Sequence, residues 1–158
     1  MKEPDEAAKG YAITLFSRRA YTEAGLYEKI KARYGEKAAA SAVARMAELN
    51  LLDDEDYARR YLSDLIGRKG MSKRRAALEL KRKGIDGEII EMVTGEAPDD
   101  AEAMIARVVK RRYMGYLDDE KGRRKTVHAL LRLGYDHGDI FAVLRNLEDD
   151  EDYYEDWE

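Results

Sequence analysis

The side chains able to do covalent or metal chemistry are few. The 158 residues include two histidines, His128 and His137, and no cysteine. A thiolate zinc site, a disulfide framework and a cysteine nucleophile are therefore excluded. The two imidazoles lack the HExxH or HxH spacing that aims two ring nitrogens at one ion, and they read as ordinary polar positions on helices. The carboxylate runs Asp53-Asp54-Glu55-Asp56 and Asp118-Asp119-Glu120 are conceivable as magnesium ligands or an acid/base pair. Each stands where a helix begins, however, and there acidic side chains accept from free amides and favour the helix dipole. No GxxxxGK loop, GxGxxG turn or GxSxG elbow is present. The expectation is a protein that is not an enzyme, with no catalytic residue, no metal ligand and no cofactor.

Charge carries the stronger signal. The chain holds 29 Lys and Arg against 33 Asp and Glu, for a formal charge of -4, but the two signs are unevenly spread. Residues 148–158 (EDDEDYYEDWE) contain eight acids and no base, leaving 29 basic and 25 acidic residues in 1–147. Within that basic body Arg59 to Lys83 holds ten Lys and Arg against two acids, and Arg107 to Lys125 holds eight against three. Basic residues concentrated in this way fit a polyanionic or acidic partner. The candidate partner or DNA contacts are Arg68, Lys69, Arg74, Arg75, Lys81, Arg82 and Lys83 in the first cluster. Arg111, Arg112, Arg123, Arg124 and Lys125 are the candidates in the second. Eleven tyrosines raise the question of base stacking, but Tyr57 and Tyr61 stand at core spacing and read as packing.

The elements that must position these cations are helices. Apolar residues recur at helical spacing almost throughout, and strand-like alternation is not convincing anywhere. Ala8, Tyr11, Ala12 and Leu15 share one face, as do Leu26, Tyr27, Ile30 and Tyr34, and Ala39, Ala42, Val43 and Met46. Six further sets follow, ending with Ile140, Val143, Leu144 and Leu147. Thr22, Asp53, Ser72 and Asp118 are placed to cap helix starts, and Gly70, Gly84, Gly115 and Gly134 to close helix ends. The segments around Tyr34-Gly35, Gly84-Ile85-Asp86 and Gly134-Tyr135-Asp136 recur at a spacing near fifty residues, which marks an internal repeat. The expectation is an all-α fold of three three-helix repeats, elongated and curved, at 1–50, 51–96 and 97–147. An acidic tail expected to be disordered follows at 148–158. The absence of an apolar run of membrane length, of an apolar leader and of cysteine leads to an expected cytoplasmic location.

Three stretches give this pattern a family likeness: YAITLFSRRAYTEAGLYEKI at 11–30, LLDDEDYARRY at 51–61 and GMSKRRAALELKRKGID at 70–86. The chain resembles the RecX family of recombination regulators, over nearly all of residues 11–147. That resemblance implies a tandem helical array that binds the RecA filament on single-stranded DNA. It also implies negative modulation of the recombinase, ATPase and co-protease activities behind DNA repair and the SOS response, with direct DNA contact in some members. The protein is expected to act as a monomer. The alternative is a non-specific DNA-binding helical module acting without RecA. Sequence-specific readout is disfavoured, because base-reading amides are limited to Asn50 and Asn146, with no glutamine.

Overall fold

The computed structural model describes residues 3–155, and the side chains of residues 3–149. Among the described residues there are nine α-helices and no strand, so the all-α expectation holds. They are α1 (Pro4–Phe16), α2 (Glu23–Tyr34), α3 (Glu36–Glu48), α4 (Asp54–Gly67), α5 (Lys73–Arg82), α6 (Gly87–Glu96), α7 (Ala101–Arg112), α8 (Glu120–Arg132) and α9 (His137–Glu155). A single 3-10 turn, Met114–Tyr116, precedes α8. No helix of the described residues is long and apolar enough to cross a membrane.

The chain forms two compact units. The first comprises Met1–Ser63 and Ala77–Glu96, the second Asp64–Ala76 and Ala97–Glu158. Helices α4 and α5 each contribute residues to both units. In the first unit Ala8, Ala12 and Leu15 of α1 pack with Leu26 and Ile30 of α2 and with Ala39, Ala42, Val43 and Met46 of α3. The alanines let the helix backbones approach closely, and the larger side chains fill the space left between them. In the second unit Ile105, Val108 and Val109 of α7 meet Leu130 of α8 and Ile140, Val143 and Leu144 of α9.

Helix starts follow side-chain capping chemistry. Thr22 Oγ1 accepts from the Gly25 amide at 3.0 Å, Asp53 from Asp56 at 3.0 Å, and Ser72 from Arg75 at 3.1 Å. The expected cap at Asp118 falls one residue later. Asp119 accepts from the Gly122 amide at 2.6 Å, because the 3-10 turn uses up the residues before it. Gly115 lies inside that turn rather than closing a helix in a left-handed conformation. Gly70, Gly84 and Gly134 do close helices, at φ 75°, 79° and 98°.

The two caps Thr22 and Ser72 also join one helix to another. Thr22 Oγ1 donates to the Lys83 carbonyl at 3.0 Å, just past the end of α5. In the same way the Ser72 amide donates to the Leu133 carbonyl at 2.8 Å, just past the end of α8, again sixty-one residues away. The positive start of one helix thus meets the negative end of another, first within one unit and then within the other. A Cβ on Gly84 would stand 2.5 Å from the Ala24 Cβ, and one on Gly134 would stand 2.6 Å from the Arg75 Cβ. Helix α9 runs on through Glu155, so most of the acidic segment expected to be disordered continues the helix. Its apolar face is anchored by Val143 and Leu144, and no Gly or Pro follows to stop it. Residues 156–158 of that segment lie outside the described residues.

Candidate partner-binding surface

Of the twelve basic residues singled out from the sequence, Lys81, Arg82 and Lys83 belong to the first unit and the other nine to the second. The tightest grouping lies where α4 ends. Arg112 of α7 donates to the carbonyls of Arg68 at 2.6 Å and Lys69 at 3.4 Å, and Arg111 donates to that of Gly67 at 3.4 Å. Arg107, one turn before Arg111, reaches the same Gly67 carbonyl at 3.4 Å. The last carbonyls of a helix have no partner within it and carry the negative end of its dipole, so three guanidinium groups close the end of α4. The result is five cations on adjoining segments: Arg68, Lys69, Arg107, Arg111 and Arg112.

Two further observations define this cluster. Arg68 holds Asp64 in a two-pronged pair at 2.7 and 3.1 Å, and this hydrogen bond keeps the Asp64 carboxyl below the usual carboxylate range. Beneath the cluster, Tyr135 is buried and its hydroxyl donates to the Gly70 carbonyl at 2.8 Å. Burial pushes the Tyr135 phenol up to about 12. Gly70 is fixed from the other side, because a Cβ there would meet Val108 at 2.7 Å.

The remaining candidates differ in how far they are free to bind. Arg74 is exposed at the α8–α9 turn, donating to the Gly134 carbonyl at 3.3 Å and standing 3.9 Å from Asp136. Arg75 is half-buried with its Nε enclosed, and its stem packs beside Gly134. Arg82 pairs with Glu79 at 2.8 Å, and the Lys83 ammonium lies 5.6 Å from the Tyr61 ring centroid. Arg123 is tied to the Leu117 carbonyl at 3.1 Å and to Glu148 at 3.0 Å, while Lys125 lies over Tyr116 at 5.2 Å. Lys69, Lys81 and Arg124 are exposed and make no side-chain hydrogen bond or ion pair among the described residues. The sequence-derived set omitted Arg107, which its position four residues before Arg111 could have signalled. It also omitted Arg145, which only the packing of α9 beside α8 brings near Arg124.

Tyr57 and Tyr61 are half-buried with ring centroids 5.9 Å apart, in keeping with packing. In the first unit Arg59 bridges Glu96 at 2.9 Å and Glu55 at 2.6 Å, and these contacts raise its already high pKa. No group of three or more metal-ligating side chains is found among the described residues.

Known proteins share both the sequence and the fold. A family model described as RecX, second three-helix domain, matches residues 53–93. The Regulatory protein RecX of Mycobacterium sp. (strain JLS) is 34% identical over 142 residues, covering 83% of this chain and 76% of that protein. The protein of the same name from Mycobacterium avium (strain 104) is 31% identical over 137 residues, covering 83% and 79%. The crystal structure of RecX from Lactobacillus salivarius superposes with a TM-score of 0.74 over 92% of this chain and 97% of that one. At 19% identity that match speaks for the fold. Identity above 30% across most of both chains, carried on these helices, makes this protein a member of the RecX family of regulatory proteins.

Proposed function

We propose that the protein binds the filament RecA forms on single-stranded DNA and lowers its recombinase, ATPase and co-protease activities, restraining recombination and the SOS response. Family membership carries this reading. The mechanism is occupancy: exposed cations of the chain engage acidic protein surface and filament-bound phosphates, and the bound protein stiffens the filament against the motions of strand exchange and hydrolysis. The chain performs no chemistry, holds no cofactor, and works in the cytoplasm as a monomer. The three triplets α1–α3, α4–α6 and α7–α9 are its repeats, linked through the paired helix ends at Thr22 and Ser72.

A DNA-binding reading without RecA is favoured by one observation, the five cations gathered at the end of α4. Labelled single-stranded DNA, bare and RecA-coated, separates the two readings. Regulation of the filament predicts binding to coated DNA at concentrations that leave bare DNA free. Equal binding to both, with a steep fall as salt rises, would transfer the function to DNA itself.

A further inference from the structure

Between α8 and α9 runs a groove of about 370 Å³. Val127 and Leu144 line it, and Phe141 stands in it with 50% of its surface exposed. The Phe141 ring is braced by His137 one turn earlier, stacked at 6.0 Å with planes 16° apart. A large apolar side chain held in place beside an apolar concavity is an anchor site with its anchor missing.

The rim carries three arginines, Arg123, Arg124 and Arg145, against two carboxylates, Glu120 and Glu148. Arg123 is committed within the fold, to Leu117 and Glu148. Arg124 and Arg145 line the same groove and make no side-chain hydrogen bond or ion pair among the described residues. Each offers a planar fork that matches a carboxylate.

We propose that this groove docks an acidic peptide segment of a protein partner. One large apolar side chain of the segment sits against Phe141, Val127 and Leu144, and its flanking carboxylates pair with Arg124 and Arg145. Nucleic acid fits less well, because a base placed in the groove would press polar edges against Val127 and Leu144, which offer them no hydrogen bond. An aliphatic or aromatic side chain has no such edges to satisfy. The site does not depend on the partner being RecA.

The test uses the full chain and a fluorescein-labelled peptide of about twelve residues, made of Glu and Asp around one central Phe. Fluorescence anisotropy should give a dissociation constant of about 10–100 µM. Replacing the peptide Phe by Ala, or its acids by Gln and Asn, should weaken binding about tenfold. Phe141→Ala should do the same, as should Arg124→Glu combined with Arg145→Glu. Lys37→Glu, a charge reversal in the first unit, should leave binding unchanged. All substituted residues are exposed, and unchanged thermal melts would confirm that the variants fold. Binding that ignores either the peptide Phe or the two arginines would overturn the proposal. So would a concentration-dependent dimer abolished by Phe141→Ala, which would give the groove to a second copy. Binding of single-stranded oligonucleotide that needs Arg124 and Arg145 while the peptide does not bind would also overturn it.

Discussion

At the scale of single residues, stability should turn on a few contacts that a surface view would miss. Tyr135 gives its hydroxyl to the Gly70 carbonyl in a buried setting, so Tyr135→Phe leaves that carbonyl one donor short. Urea denaturation should show a loss of about 1–2 kcal/mol. The phenol is raised from its ordinary 10 to about 12, so the proton is held more tightly in the folded chain. Its contribution is complete below pH 10 and is lost as pH rises through 12. Tyrosinate absorbance of the native chain should contain a late-ionising phenol that is absent from Tyr135→Phe, while the Tyr57 phenol, also raised by burial, remains in both. Gly84 combines a left-handed backbone with a close neighbour, since an added Cβ would stand 2.5 Å from the Ala24 Cβ. Gly84→Ala should therefore cost about 2–4 kcal/mol. Gly10, inside α1 with nothing within 4 Å, should behave oppositely, Gly10→Ala adding about 0.5–1 kcal/mol. Thermal or urea melts of the two variants read the contrast directly.

At the scale of elements, the end of α4 is secured by side chains of α7. Arg112→Met keeps the apolar stem and removes the donors to the Arg68 and Lys69 carbonyls. Hydrogen exchange of the Lys69 and Met71 amides, which bond back into α4, should quicken about fivefold to tenfold. Unchanged exchange would mean that α7 does not hold that helix end. Most of this level was readable from residue spacing. Apolar periodicity marked the helices, and Thr22, Asp53 and Ser72 cap where their positions indicated, since both signals are local. What escaped was partly local irregularity and partly contact with distant chain. The 3-10 turn moved a cap from Asp118 to Asp119, and Gly115 serves inside it. The α9 helix continues into the acidic segment because no stop residue intervenes. The double use of Thr22 and Ser72 joins residues sixty-one apart, which no local pattern encodes.

The candidate surface was only partly legible for the same reason. Clustering found Arg68, Arg111 and Arg112, but charge alone does not distinguish a guanidinium free in solvent from one spent on a helix end. Arg75 illustrates the limit: basic in sequence, it is half-buried beside Gly134. Arg75→Glu should therefore lower the melting temperature. The combination Lys69→Glu, Lys81→Glu and Arg124→Glu, at cations that make no ion pair among the described residues, should keep the melting temperature while weakening filament inhibition about tenfold or more. A melting temperature that falls with the triple variant, or inhibition that persists, would remove these three residues from the surface.

For the molecule as a whole, the proposed function is regulation of a filament by occupancy. The measurement that addresses this most directly is RecA-dependent ATP hydrolysis on single-stranded DNA, titrated with this protein, beside binding to the same DNA without RecA. The account predicts that hydrolysis falls at ratios well below one molecule per RecA protomer, at concentrations where bare DNA is not bound. Hydrolysis that is unaffected, or that falls only when enough protein is present to coat the DNA, would contradict it.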